Sequence, residues 1–320
     1  MLPAGLLAAG LLATATPAAA QWQPSQPVEY IAPANPGGGW DTLIRTTSRV
    51  IQEEGLAPVN FAPINIPGGG GSVAWAQIAA DAGNPHKLFA VSPPIILVPL
   101  AGQSAYDHTA FTPIARLITD YAVIVVQADS PYQTIGDLMA AIEENPALAV
   151  GGGSAPGSMD HIAGAGAASA AGVDARSVNY IPFSGGGEAL VALMGGHVAA
   201  VSTGAGEVQA QLASGDVRAL AVSAEERVET LPDVPTFKES GIDFTFDVWR
   251  GIMGPPDMPA EAVAYYADMY EKMMATDGWK EAAAQLGWID AFQGPEQFGA
   301  FLDAQKEQFS TILTDIGLLQ

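Results

Sequence analysis

One repeated junction constrains this chain more than any other feature: an extended apolar run, then a glycine cluster, then a helix-forming stretch. It first occurs at residues 28–33, followed by Gly37, Gly38, Gly39, Trp40 and Asp41. In the segment that follows, Leu43, Ile44, Val50 and Ile51 share one helical face, with Asp41 as the expected N-cap and Gly55 as the stop. Residues 59–66 lead likewise through Gly68, Gly69, Gly70 and Gly71 into a helix capped by Ser72. Residues 147–150 lead into Gly151–Gly153, Ser154 and Ser158, then a small-residue helix carrying His161. Residues 178–181 lead into Ser184, Gly185, Gly186 and Gly187, then a helix over 188–194. A weaker copy joins a strand over 197–201 through Ser202, Thr203 and Gly204 to a helix around 208–212.

Further strands are expected at 87–91, 121–127, 217–222 and 248–253, and a helix begins at Thr134 with Asp137 completing a capping box. Helices over 260–276, 278–286 and 295–316 close the chain. Such alternation implies an α/β fold built on parallel βαβ units. Ligands of these sheets bind beyond the carboxyl ends of the strands, where every glycine turn falls. The strands at 121–127 and 217–222 are the expected crossings between two lobes, which makes the segment between them an inserted domain.

Each junction is also a ready anion site, because glycines let the backbone approach a ligand and a helix N-terminus favours negative charge. The formal net charge of −22 argues against nucleic-acid binding, which needs a basic footprint. Residues 1–20 read as a secretory signal, with an apolar core over 6–12 and Ala18, Ala19 and Ala20 before Gln21. No later stretch has the roughly 20 unbroken apolar residues of a membrane span. The chain has no cysteine, so disulfides and a lipid-bearing Cys are excluded. An exported, soluble protein is expected.

Enzyme chemistry finds little support. A nucleotide P-loop needs a lysine after its glycines, and none of the glycine runs contains one. A dinucleotide turn needs a third spaced glycine, but Thr42 stands there. A nucleophile elbow at Ser202 would need a later histidine, whereas His86, His108, His161 and His197 all precede it. No histidine pair has metal-ligand spacing, so neither a metal nor a cofactor is expected. What remains is a set of small donors in glycine-rich loops: Ser72, Ser92, Ser154, Ser158, Ser184, Ser202 and Thr203. Backbone and hydroxyl bonds to a carboxylate contribute about 1.5–3 kcal/mol each, so four or five hold a small organic anion without a lysine cage. Arg250 is open between a ligand contact and a surface salt bridge, His161 between a ligand contact and a satisfied helix residue, and Trp40 between ligand wall and core. Trp75 reads as core.

The run from Pro24 to Asp41 resembles the opening signature of the substrate-binding proteins of tripartite tricarboxylate transporters, the TctC/Bug family. Residues 65–72 resemble their second loop, and Gly152–Ser154 with Asp160 and His161, residues 180–189 and residues 233–241 continue the resemblance in order. Trp40 and the Asp160–His161 pair look closer to the tricarboxylate-type members than to the family's amino-acid binders, which usually place Thr or Ser where Trp40 stands. The resemblance implies a two-lobed periplasmic binding protein of the type II, Venus-flytrap kind, each lobe a mixed or parallel sheet flanked by helices. The lobes would comprise residues 21–121 plus 223–320, and residues 122–222.

The implied function is capture of a small di- or tricarboxylate, citrate-like acids foremost, by a periplasmic monomer that delivers it to the transporter's membrane subunits. Carried over, Gly38, Gly39, Trp40, Gly70, Gly71 and Ser72 form one wall. Ser154, Ser158, His161, Gly186 and Thr203 form the other, joined by Ser92, Ser184 and Arg250. Two alternatives stand beside this one: a receptor for an aromatic or amino-acid-derived carboxylate that feeds signalling, and an enzyme acting on a carboxylate.

Overall fold

The computed structural model describes residues 22–157, 159–315 and 319. The expected signal sequence, residues 1–20, and the candidate Ser158 lie outside the described residues. The chain opens with β1 (Val28–Ala32), α1 (Gly39–Glu53), β2 (Phe61–Asn65), α2 (Ser72–Ala79), β3 (Lys87–Val91) and α3 (Pro94–Leu100). A long strand, β4 (Thr112–Gln127), is followed by α4 (Ile135–Glu144), β5 (Ala149–Gly152), α5 (Met159–Ala170), β6 (Asn179–Pro182) and α6 (Gly186–Met194). Then come β7 (Ala200–Gly204), α7 (Gln209–Ser214), β8 (Val217–Val222), β9 (Asp247–Gly254), α8 (Ala260–Ala275), α9 (Asp277–Leu286), β10 (Ile289–Gln293) and α10 (Pro295–Asp315).

The expected α/β architecture is present as one mixed sheet in the order β2-β1-β3-β9-β4-β7-β5-β6, with β8 and β10 also paired to β4. Two parallel trios, β2-β1-β3 and β6-β5-β7, lie at its ends. They are joined through antiparallel pairings of β4 and β9. The parallel trios follow from their helical crossovers, since parallel neighbours need a long return path. All five glycine- or hydroxyl-rich turns leave the carboxyl ends of trio strands.

β4 is longer than the strand expected at 121–127. Pro113, Arg116 and Asp120 interrupt its apolar pattern, yet the strand runs on to Thr112, with register shifts beside Pro113 and Arg116. A register shift lets a strand carry a proline that cannot complete the ladder. β4 pairs with β9 through Tyr121 and with β7 from Ala122 onward, so one strand serves both ends of the sheet. Ser223, just after β8, accepts a bond from the Ala122 amide (2.9 Å) and donates to the Phe246 carbonyl, tying the return of the chain to the middle of β4.

Packing divides in the same manner. A large core joins β1, β3, β9 and the first half of β4 to α1, α2, α3 and α8–α10. Two smaller cores cover opposite faces of the other end, one under α4 and α5 and one under α6. The capping box at Thr134 is formed, with the Asp137 amide on Thr134 Oγ1 (3.1 Å) and the Thr134 amide on Asp137 Oδ2 (2.8 Å). Two other caps differ from expectation. Gly38, not Asp41, is the N-cap of α1; Asp41 sits a turn inside and reaches back to accept from the Gly37 amide (3.0 Å) while pairing with Arg45. Gly71, in a left-handed conformation, caps α2 in place of Ser72. Among the described residues no helix is long and apolar enough to cross a membrane.

Candidate functional site

Four glycine turns meet. Those after β1, β2, β5 and β6 surround a cavity of about 320 Å³, closed on its remaining sides by Ser92 after β3, Glu207 after β7 and Arg250 of β9. Gly153 shows why the turns are glycine: a β-carbon there would run into the backbone of Gly185 and Gly186, so the turns after β5 and β6 touch only because it is absent. The cavity is at the small end of ligand sites, which span about 300–1,000 Å³.

Of the sequence-derived candidates, Gly38, Gly39, Trp40, Gly70, Ser92, Ser154, Ser184, Gly186 and Arg250 line the cavity. Four others do not. Gly71 packs on the Trp75 ring, and the Ser72 hydroxyl is turned toward Gly69. Thr203 Oγ1 donates to Glu207 Oε2 at 3.1 Å. His161 stacks on Tyr180 at 4.6 Å, and its Nδ1 accepts the Gly157 amide at 2.8 Å. Burial lowers the His161 imidazole to about 4, so it is the neutral ring that takes this bond. Trp75 is fully buried, as expected of a core residue, whereas Trp40 both lines the cavity and packs edge-on against Trp75 at 6.5 Å. The indole N–H of Trp40 is buried with no hydrogen-bond partner among the described residues.

Arg250 is a salt-bridge residue, but not a surface one. It is 2% exposed, and its guanidinium donates to Asp120 Oδ2 (2.9 Å) and Glu207 Oε1 (3.0 Å). Burial raises the carboxyl groups of Asp120 and Glu207, and the Arg250 charge works against that rise. A protein carboxylate takes part of the anion site at the start of α1, where Asp41 Oδ2 accepts from the Gly37 amide (3.0 Å). Ser184 is treated alike, its amide held by Glu188 Oε2 at 3.0 Å. Thus acids of the protein itself satisfy some of the turn amides, and the site has fewer free donors than its glycines suggest.

Sequence reasoning did not pick out Asp120, Glu207 or Asp160 as site residues. A signal was there for the first: Asp120 falls between Ile118 and Ala122 in a β-branched run, and Arg250 lies amid residues 248–253, also apolar. Two opposite charges embedded in buried strands must find each other. Asp160, on the first turn of α5, also lines the cavity and is 2% exposed. Its amide donates to Ser154 Oγ (3.0 Å), which ties the first turn of α5 to the glycine turn before it. The Tyr180 hydroxyl donates to the Ser154 carbonyl (2.7 Å) and fixes the turn beneath.

Comparison with known proteins identifies the family. Residues 58–318 match the model of the tripartite tricarboxylate transporter family receptor, TctC. BugT of Bordetella pertussis is 26% identical over 317 residues, covering 95% of this chain and 93% of BugT. A TctC solute-binding protein from Polaromonas, solved without ligand, is 31% identical with a TM-score of 0.64, covering 91% of this chain and 99% of that one. MatC from Rhodopseudomonas palustris, solved with bound malate, shares the fold at a TM-score of 0.81 and 22% identity, covering 91% and 99% of the two chains. The chain therefore belongs to the TctC family of tripartite tricarboxylate transporter receptors, whose members are periplasmic substrate-binding proteins and not enzymes.

Proposed function

We propose that this protein is an extracytoplasmic receptor that captures a small di- or tricarboxylate and delivers it to the membrane subunits of a tripartite tricarboxylate transporter. The observation that carries the proposal is the convergence of four glycine turns on one small cavity lined by backbone, hydroxyls and a single cation already engaged by two acids. A preorganised set of small donors holds a carboxylate without the ordering cost of long basic side chains. The malate bound by MatC supports an acid of that class, with citrate-like acids close in chemistry.

In this reading Gly38, Gly39, Trp40, Gly70 and Ser92 contact the ligand from one lobe, residues 21–121 plus 223–320. Ser154, Ser184 and Gly186 contact it from the other, residues 122–222. Arg250 sits beneath, its charge shared between Asp120 and Glu207, and offers the ligand no free cation. Residues 1–20 direct export to the periplasm, where the receptor acts as a monomer.

The test is a thermal-shift panel of mono-, di- and tricarboxylates with amino acids and sugars as controls. An acid present at about 100 times its Kd stabilises the folded state by about 2.7 kcal/mol. For a chain of 320 residues that is a rise in Tm of about 4 °C. A panel in which no carboxylate moves the melt, or in which only the controls do, removes the proposal.

A further inference from the structure

Two carboxyl groups, Asp160 and Glu207, line the cavity with one cation, Arg250, and a third, Asp120, is paired to that cation. Asp120 and Glu207 each hold the guanidinium, at 2.9 and 3.0 Å. Asp160 holds no cation. Its Oδ1 is buried and has no hydrogen-bond partner among the described residues. An ionised, unpaired carboxylate beside Glu207 in a buried site would be opposed by desolvation and by like charge, and an arriving anion would add to both.

We propose that Asp160 is a neutral carboxylic acid in the ligand-free receptor and that its proton is the hydrogen-bond donor to one carboxylate of the bound acid. The inference rests on the receptor reading above and names a specificity-determining side chain within that site. It resolves the presence of an acid on the wall of an anion site: a protonated carboxyl is a donor, and only an ionised one repels. The proton is retained on Asp160 and shared with the ligand, so no group is transferred. Burial, reinforced by the charge of Glu207, pushes the Asp160 carboxyl up to about 8.

The groups that face Asp160 are Glu207 beyond β7, Arg250 on β9 with Asp120 of β4 behind it, and the Tyr180 hydroxyl on β6. Its neighbour His161 is neutral near pH 7. Deprotonation of Asp160 therefore adds negative charge to a site whose one cation is already shared, and it removes the donor at the same time. Ligand affinity should fall on the alkaline side. The site should also reject acids whose contacting end is an ammonium group, which needs an ionised acceptor.

Two measurements on the full mature chain test this. In ligand-free protein labelled with carboxyl-13C aspartate, one resonance should titrate above pH 7 in the wild type and be missing from Asp160→Asn. An Asp160 resonance that titrates below pH 5 overturns the proposal. Malate binding is then followed by calorimetry from pH 6.5 to 9.5. Wild-type affinity should fall by up to tenfold per pH unit above about pH 8, the slope of one linked proton. Asp160→Asn, which keeps a donor, should give a flat profile, and Asp160→Ala should weaken binding tenfold or more at pH 7. A flat wild-type profile, or Asp160→Asn losing as much affinity as Asp160→Ala, also overturns it. If no carboxylate binds the wild type at any pH, the receptor reading fails together with the donor role, while the labelled resonance still reports whether Asp160 carries its proton.

Discussion

The guanidinium of Arg250 occupies the space that a β-carbon on Gly39 would need. The first glycine turn is thus pressed onto the one cation of the cavity, and Glu207 Oε1 accepts from the same Arg250 Nη2 (3.0 Å). Gly39→Ala should accordingly disrupt the floor of the site although alanine is the better helix former. Overpacking of this kind costs about 1–3 kcal/mol. We expect a lowered Tm and at least tenfold weaker carboxylate binding; an unchanged or raised Tm would show that Arg250 has room to move.

Arg250 offers a second test, through its partners. Removing the cation leaves the carboxyl groups of Asp120 and Glu207 buried and unpaired. Breaking a buried pair from one side costs about 3–5 kcal/mol. Arg250→Met should melt well below wild type, and Arg250→Met with Asp120→Asn and Glu207→Gln should recover much of the loss. A single variant as stable as wild type would contradict the pairing.

Ser154 and Ser72 are both loop hydroxyls, but the structure separates them. Ser154 lines the cavity and accepts the Asp160 amide, whereas Ser72 is turned away. Ser154→Ala should lower stability by about 1 kcal/mol, the net worth of a hydrogen bond, and weaken ligand binding several-fold. Ser72→Ala should leave the affinity as it is. Equal effects in calorimetry would reverse the assignment of the cavity.

Stability should also record the raised carboxyl of Asp160. Its folded value is about 8, against 3.8 for the free side chain. Between those values the folded protein binds the extra proton, so this contribution is fully present below pH 3.8 and is lost as pH rises toward 8. Ligand-free wild type and Asp160→Asn should therefore diverge between pH 5 and 8, the asparagine variant losing less Tm. His161 works the other way: its depressed value opposes the folded state as pH falls below its ordinary 6.5 toward 4. Parallel melting profiles would mean that Asp160 ionises like an exposed acid.

Much of the fold was legible because the glycine turns interrupt apolar runs at regular intervals. The parallel trios follow from them, and so does the cavity at their carboxyl ends. The first half of β4 was not legible, since Pro113, Arg116 and Asp120 break the alternation, and only pairing with β9 restores it. α3 escaped for a different reason: Ile95–Val98 is apolar on every side and too short to show a period. β10 is a short, half-exposed strand whose existence depends on pairing with β4. At the site, the loops were readable as loops, but the direction of each side chain was not. His161 and Ser72 stand in the right turns and face elsewhere, while the acids that shape the floor come from β4, α5 and the turn after β7, far apart in sequence.

The most direct measurement is isothermal titration of malate and citrate into the purified mature protein at pH 7. A receptor with this cavity gives saturable one-to-one binding for at least one of them, and that binding is lost in Gly39→Ala. No heat and no displacement of a co-purified acid for either, with the protein folded, would contradict the assignment of this cavity as a carboxylate site.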